Sequence, residues 1–207
     1  MSFFLRKASD DPGAFGMLDS RRERILEGRF YRLAAILARR SREANAWSYS
    51  LLYGLHRHMF ENIFPESAGK ERQTEVMLGA FPVPAPGKIK DRLRYLVESA
   101  RSLIEESASM SDGTARAALV FPKAALFHAD SVVTQPFIDG NKRWARLLLN
   151  ALLIDCGFKP GTIVYEEQRA EYMRGIEKAI AGDADQLATI LLRGWLEEDE
   201  RYRSGAY

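Results

Sequence analysis

Between Leu147 and Ile154 only Asn150 is polar, and a helix that is apolar all the way round has to be walled in by other elements. The stretch is therefore predicted as the central helix of a domain, starting just after Gly140 and running to Cys156. Gly157 and Pro160 end it in the usual order, a residue able to take positive φ followed by one that cannot continue a helix. The other end is less ordinary. Lys142, Arg143 and Arg146 crowd the first turns, where the helix already presents N–H groups and a partial positive charge. Cations there are unfavourable unless a polyanion sits on them, and a glycine just before the helix lets the backbone approach a phosphate closely.

The chain of 207 residues, 46% of them apolar, is enough for one compact domain with a sizeable core. A net charge of +2 gives no argument for nucleic acid. The single cysteine, Cys156, cannot staple the fold and reads as a small apolar filler in a reducing compartment. Phe3, Phe4 and Leu5 are followed at once by Arg6 and Lys7, so no signal-peptide core develops, and no run reaches membrane-spanning length. A cytoplasmic protein without a membrane partner is the expectation.

Residues 1–44 read as an arm followed by a basic amphipathic helix capped by Asp19 or Ser20, residues 45–200 as the main domain and 201–207 as a tail. In the first helix Ile25, Leu26, Leu33, Ile36 and Leu37 face one way and the arginines the other; Glu23, Glu27 and Glu43 interrupt the basic face and favour a solvated surface over an RNA- or membrane-binding one. A helix over 46–60 puts His56 on its apolar face, which favours a hydrogen-bonded core histidine over a catalytic one. Residues 72–83 read as a short hairpin, 89–107 as a helix, 110–114 as a linker, and Pro122 as the opening residue of a helix that ends at Gln135, before a proline. Two helices close the chain, the second opened by Asp183-Ala184-Asp185-Gln186 as a capping box, with Leu187, Ile190, Leu191, Trp195 and Leu196 inward.

Gln135-Pro136-Phe137-Ile138-Asp139-Gly140-Asn141-Lys142-Arg143, with Arg146 three residues on, resembles the signature of the Fic family: His-Pro-Phe-x-Asp/Glu-Gly-Asn-Gly/Lys-Arg, then x-x-Arg. Leu55-His56 with Met59-Phe60 is similar to an early segment of that family, and Ala68, Gly69 and Arg72 to the stretch before its flap. The resemblance spans about Ala46 to Trp195 and implies an all-α bundle with one small β-hairpin, the flap. Within the signature it departs from the family at one position, where Gln135 stands in place of the catalytic His, and before the flap Ser67 stands where the family usually has Trp.

What the resemblance implies is transfer of AMP from ATP to a Ser, Thr or Tyr hydroxyl of a target protein. Gly140, Asn141 and Lys142 would offer N–H groups to the attacked phosphate, Phe137 would line the nucleotide site, Arg143 and Arg146 would take the outer phosphates, and Asp139 would hold Mg²⁺. Thr74, Glu75, Val76 and Met77 would clamp the target as an added strand, although a decorative hairpin fits the residues equally. Gln135 has no titratable nitrogen, so the general-base contribution of roughly 10²–10⁴-fold is missing. His128, seven residues back on a helix and so roughly 10 Å along its axis, is no stand-in. Transfer is therefore expected to be impaired or absent. A nucleotide-binding pseudoenzyme or interaction module is the alternative reading; a Doc-like kinase toxin is a third, disfavoured by Gly140. Glu27-Gly28 is a weak match to the family's inhibitory helix, whose Glu would pair with Arg146, unless a separate antitoxin supplies it.

Overall fold

The structure is a computed structural model and describes residues 46–79, 81–158 and 169–204, together with Arg21, residues 24–26, 28–29, 32–33 and Ile36. Helices α1 (Tyr49–Phe60), α2 (Ile89–Ala108), α3 (Gly113–Thr134), α4 (Asn141–Asp155), α5 (Arg169–Ile180) and α6 (Asp185–Arg203) follow one another, with a 3₁₀ turn at Pro86–Lys88 leading into α2. The Ser48 side chain accepts from Leu51 N at 3.4 Å and starts α1. In α2 the buried Ile89, Leu93, Leu96, Val97, Ala100, Leu103 and Ile104 recur every three or four residues, as one helical face requires.

The expectation of an all-α bundle holds. Helix α4 is buried from Leu147 to Asp155 and is packed against α1, α2 and α3. The hub, however, is α3, which touches α2, α4, α5 and α6. Its start also differs from the expectation: Asp112 accepts from Thr114 N at 2.8 Å and caps a helix beginning at Gly113, so Pro122 lies inside α3 instead of opening it. An interior proline removes one ladder bond and typically costs about 3 kcal/mol. The burial of Val120, Phe121, Ala124 and Ala125 around it offsets that loss.

The expected hairpin is not confirmed by the described residues. Among the described residues there is no strand, and residues 72–83 carry only one antiparallel bridge, Leu78 with Phe81, closed by Phe81 N donating to Leu78 O at 3.0 Å. Pro82, Pro84 and Pro86 have no N–H to extend a ladder, which limits pairing to the turn itself. Leu196, expected inward, is 53% exposed. In the N-terminal region Leu26 and Leu33 are buried in the same core as the bundle, and Arg29 pairs with Glu61 at the end of α1 at 3.2 Å, while Ile36 faces solvent. No described helix is long and apolar enough to cross a membrane.

Candidate active site

The six residues joining α3 to α4 are held mainly by bonds to the elements around them. Gln135 ends α3 in the left-handed region, at φ 41° and ψ 56°, the one non-glycine residue at positive φ among those described. Its side chain turns back to the helix, with Nε2 donating to Val132 O at 2.6 Å, and so caps the last turn of α3. Asn141 folds the rest of the loop onto α4: its Oδ1 accepts from Phe137 N at 2.9 Å and its Nδ2 donates to Phe137 O at 2.8 Å. The ladder of α4 then begins with Trp144 N donating to Gly140 O at 3.0 Å, which leaves the amides of Asn141 and Lys142 ahead of it at the helix end. The Gly140 amide is engaged, donating to Asp139 Oδ1 at 2.5 Å.

Gly140 is required twice over. Its φ is +77°, and a Cβ there would stand 2.3 Å from Phe60 Cζ. Phe60 and His56, one turn apart on α1, form the floor beneath it. The His56 ring stacks on Phe137 with centroids 3.7 Å apart, and its two nitrogens bridge two segments: Gly69 N donates to Nδ1 and Nε2 donates to Asp139 O, each at 2.9 Å. These bonds fix a neutral ring, and burial pushes its pKa down to about 4, opposed by the bond to Asp139 O. The favoured reading of His56 as a core histidine is therefore right about its burial. It also holds the signature loop.

A second clamp is Arg72, which is buried. Its Nε donates to Gln135 O at 2.6 Å, Nη1 to Thr74 O at 2.7 Å and Nη2 to Pro84 O at 2.5 Å, while its backbone N donates to Pro136 O at 3.0 Å. Burial lowers its pKa, with Glu75 opposing. Alongside it the Tyr53 hydroxyl donates to Glu71, and burial, then that carboxylate, push the phenol well above its usual range. Sequence reading placed Arg72 next to the flap but gave it no role, because its partners are carbonyls, which any residue carries.

The remaining candidates differ in their access to solvent. Lys142 is exposed, Arg143 and Arg146 are half-buried, and Arg146 Nε reaches Lys142 O at 3.4 Å. His128 is fully enclosed, with Nε2 2.7 Å from the Tyr172 hydroxyl, and burial with the Arg146 guanidinium nearby pushes it down to about 3. It is sealed from any reacting group, as its distance along the helix had implied. Thr74, Glu75 and Met77 are exposed, Met77 at 87%, and Val76 is half-buried. Asp139 is the only carboxylate of the signature, and no group of three metal-ligating side chains occurs among the described residues. Glu27 lies outside the described residues.

Residues 46–153 match the model of the Fic/DOC family. The protein adenylyltransferase fic-1 of Caenorhabditis briggsae is 37% identical over 143 residues, 69% of this chain and 26% of that protein. The chain thus spans about a quarter of the length of the curated relatives it matches. Among solved structures, Fic-1 (residues 134–508) from C. elegans superposes with a TM-score of 0.70 at 26% identity, covering 92% of this chain and 55% of that one. The BepC protein from Bartonella tribocorum, solved with bound AMPPNP, gives 0.60 at 16% identity over 93% and 95% of the two chains, a likeness of fold alone. With the signature loop, its two clamps and the helix that carries it accounted for, the chain belongs to the Fic/DOC family.

Proposed function

We propose that this chain binds ATP at the N-terminus of α4 and presents a protein hydroxyl to it from the segment around Thr74–Met77, with AMP transfer impaired by the side chain at position 135. The observation that carries the reading is the Gln135 amide, which donates to Val132 O at 2.6 Å and so closes α3 instead of facing a reactant. An amide spent in this way accepts no proton, and the general base is worth roughly 10²–10⁴-fold. The phosphate end is otherwise intact. Exposed Lys142, half-buried Arg143 and Arg146 and the amides at the helix end supply the positive field an anion needs. Asp139 fits Mg²⁺ carried in on phosphates, since that ion keeps one or two carboxylates and fills its remaining positions with phosphate oxygens and water. A bound Mg²⁺ would supply charge neutralisation there.

The same bond at Gln135 also favours a second reading, a nucleotide-holding module that catalyses nothing. Gln135→His separates the two. The imidazole is tolerated at positive φ better than most side chains, and the variant should label itself or a lysate protein from radioactive ATP on the order of 10²-fold above the parent. Gln135→His combined with Arg143→Ala should stay silent. A Gln135→His protein that binds ATP, shown by calorimetry, yet labels nothing leaves the module reading standing. Labelling by the parent itself would refute the account of the missing proton acceptor.

A further inference from the structure

We infer that Arg72 is a positioning residue: one buried guanidinium holds the stem of the target-binding segment against the signature loop and fixes which stretch of that segment stays open to a partner. This rests on the reading of residues 74–77 as the target clamp. The geometry is that of a three-way tie. The planar fork reaches Thr74 O and Pro84 O, which are the two feet of the 74–84 segment, and Gln135 O, which is the first carbonyl of the signature. Its backbone amide takes Pro136 O as well. A lysine carries its three donors on one nitrogen, whereas the guanidinium spreads them over three nitrogens in a rigid planar fork, and each of the three is used here.

Two consequences follow from the atoms used. The first concerns the backbone of Gln135, whose left-handed conformation brings strain that needs an external hold; Arg72 grips the carbonyl of that same residue. The second concerns the open edge. Thr74 O is consumed by Arg72, while Glu75, Val76 and Met77 make no backbone hydrogen bond to any other described residue. An extended peptide adding as a strand therefore finds its backbone partners from Glu75 to Met77 and not before. Arg72 sets that register. The loop's other end is held separately by His56, through Asp139 O. Target placement and phosphate placement thus have different clamps.

The test is Arg72→Ala, followed by hydrogen exchange of residues 72–81 and 135–141 and by calorimetric titration with MgATP. Protection of the amides of residue 72 and of Phe81, which donate to Pro136 O and Leu78 O, should fall together by about tenfold or more, since three charge-assisted bonds to carbonyls are lost. Affinity for MgATP should change by less than about threefold, since the His56 clamp is untouched. Guanidinium chloride at a few millimolar, but not NaCl, should refill the vacated fork and restore protection. Unchanged exchange in both segments, no rescue by guanidinium, or a loss of MgATP affinity as large as the loss of protection would each overturn the inference. If Arg72→Ala shows no cooperative melt, Arg72→Lys takes its place: it should keep the melt and lose protection at residue 72 and Phe81, and full protection in that variant refutes the fork. If the parent chain itself gives no heat with MgATP, the nucleotide reading fails, and the exchange and guanidinium results still decide the role of Arg72.

Discussion

The loop between α3 and α4 and the segment from Glu75 to Met77 are neighbours joined by one arginine, and they are held in opposite ways. In the loop Phe137 has both backbone groups bonded to Asn141, Asp139 O is bonded to His56, and Gln135 is gripped at its carbonyl and through its side chain. In the segment the backbone from Glu75 to Met77 makes no bond to other described residues, and Met77 lies out in solvent. The contrast follows from what each must meet. A phosphate is small and always the same shape, so fixed donors bind it without paying for reorganisation. A target protein brings its own backbone, and unbonded N–H and C=O groups are what it needs to find.

The contrast is most easily broken at Gly140. Gly140→Ala should destabilise the fold by roughly 3–5 kcal/mol, because the added methyl overlaps Phe60 and the backbone is left-handed; denaturant melts and the loss of calorimetric heat with MgATP check it. Acid comes next. Burial holds His56 down to about 4, so between that value and the ordinary 6.5 the unfolded chain takes up a proton that the folded one refuses. Its stabilising contribution is whole above pH 6.5 and drains as pH falls toward 4, by on the order of 3 kcal/mol. Melts from pH 7 to pH 4.5 should show this, and exchange should quicken in 137–141 while 75–77 stays as fast as before. His128, pushed down to about 3, adds to the same slope, and His128→Leu should flatten its part.

Asn141→Ala should cost about 2 kcal/mol, since it strands the buried N–H and C=O of Phe137, and it should weaken MgATP binding through the loop and not through a lost phosphate contact. The smallest effect belongs to the open segment. Met77→Ser should shift stability by less than about 0.5 kcal/mol and leave MgATP affinity alone, as for an exposed side chain with no partner to lose. A large change in either quantity on Met77→Ser would mean that the segment is built into the fold, and the contrast would be gone.

The burial of α4 and its stop at Gly157 were legible because an uninterrupted apolar run admits one account. The α3 start was not, since Pro122 is a strong opening signal and only the cap at Asp112, acting from nine residues upstream of Phe121, shows that the helix is already under way. The expected hairpin is unconfirmed for a related reason: residues 72–77 followed by 79–83 suggest two short strands, but the prolines after Phe81 remove donors that a ladder needs. Position 135 could be singled out from the sequence, yet the direction of its amide, back onto Val132 O, could not. Least visible were the clamps. Arg72 and His56 work on backbone carbonyls and amides brought together by the fold, and those atoms leave no trace in residue types.

Because α4 is buried around its circumference from Leu147 to Asp155, it has no spare face and cannot be rolled. Inserting one residue inside α4 ahead of Leu147 would turn every later side chain by about 100° and drive Asn150 and Asp155 to the wrong walls. The helix can thus change letters along its walls but not its count of residues, and every side chain it carries at its N-terminus inherits one fixed bearing.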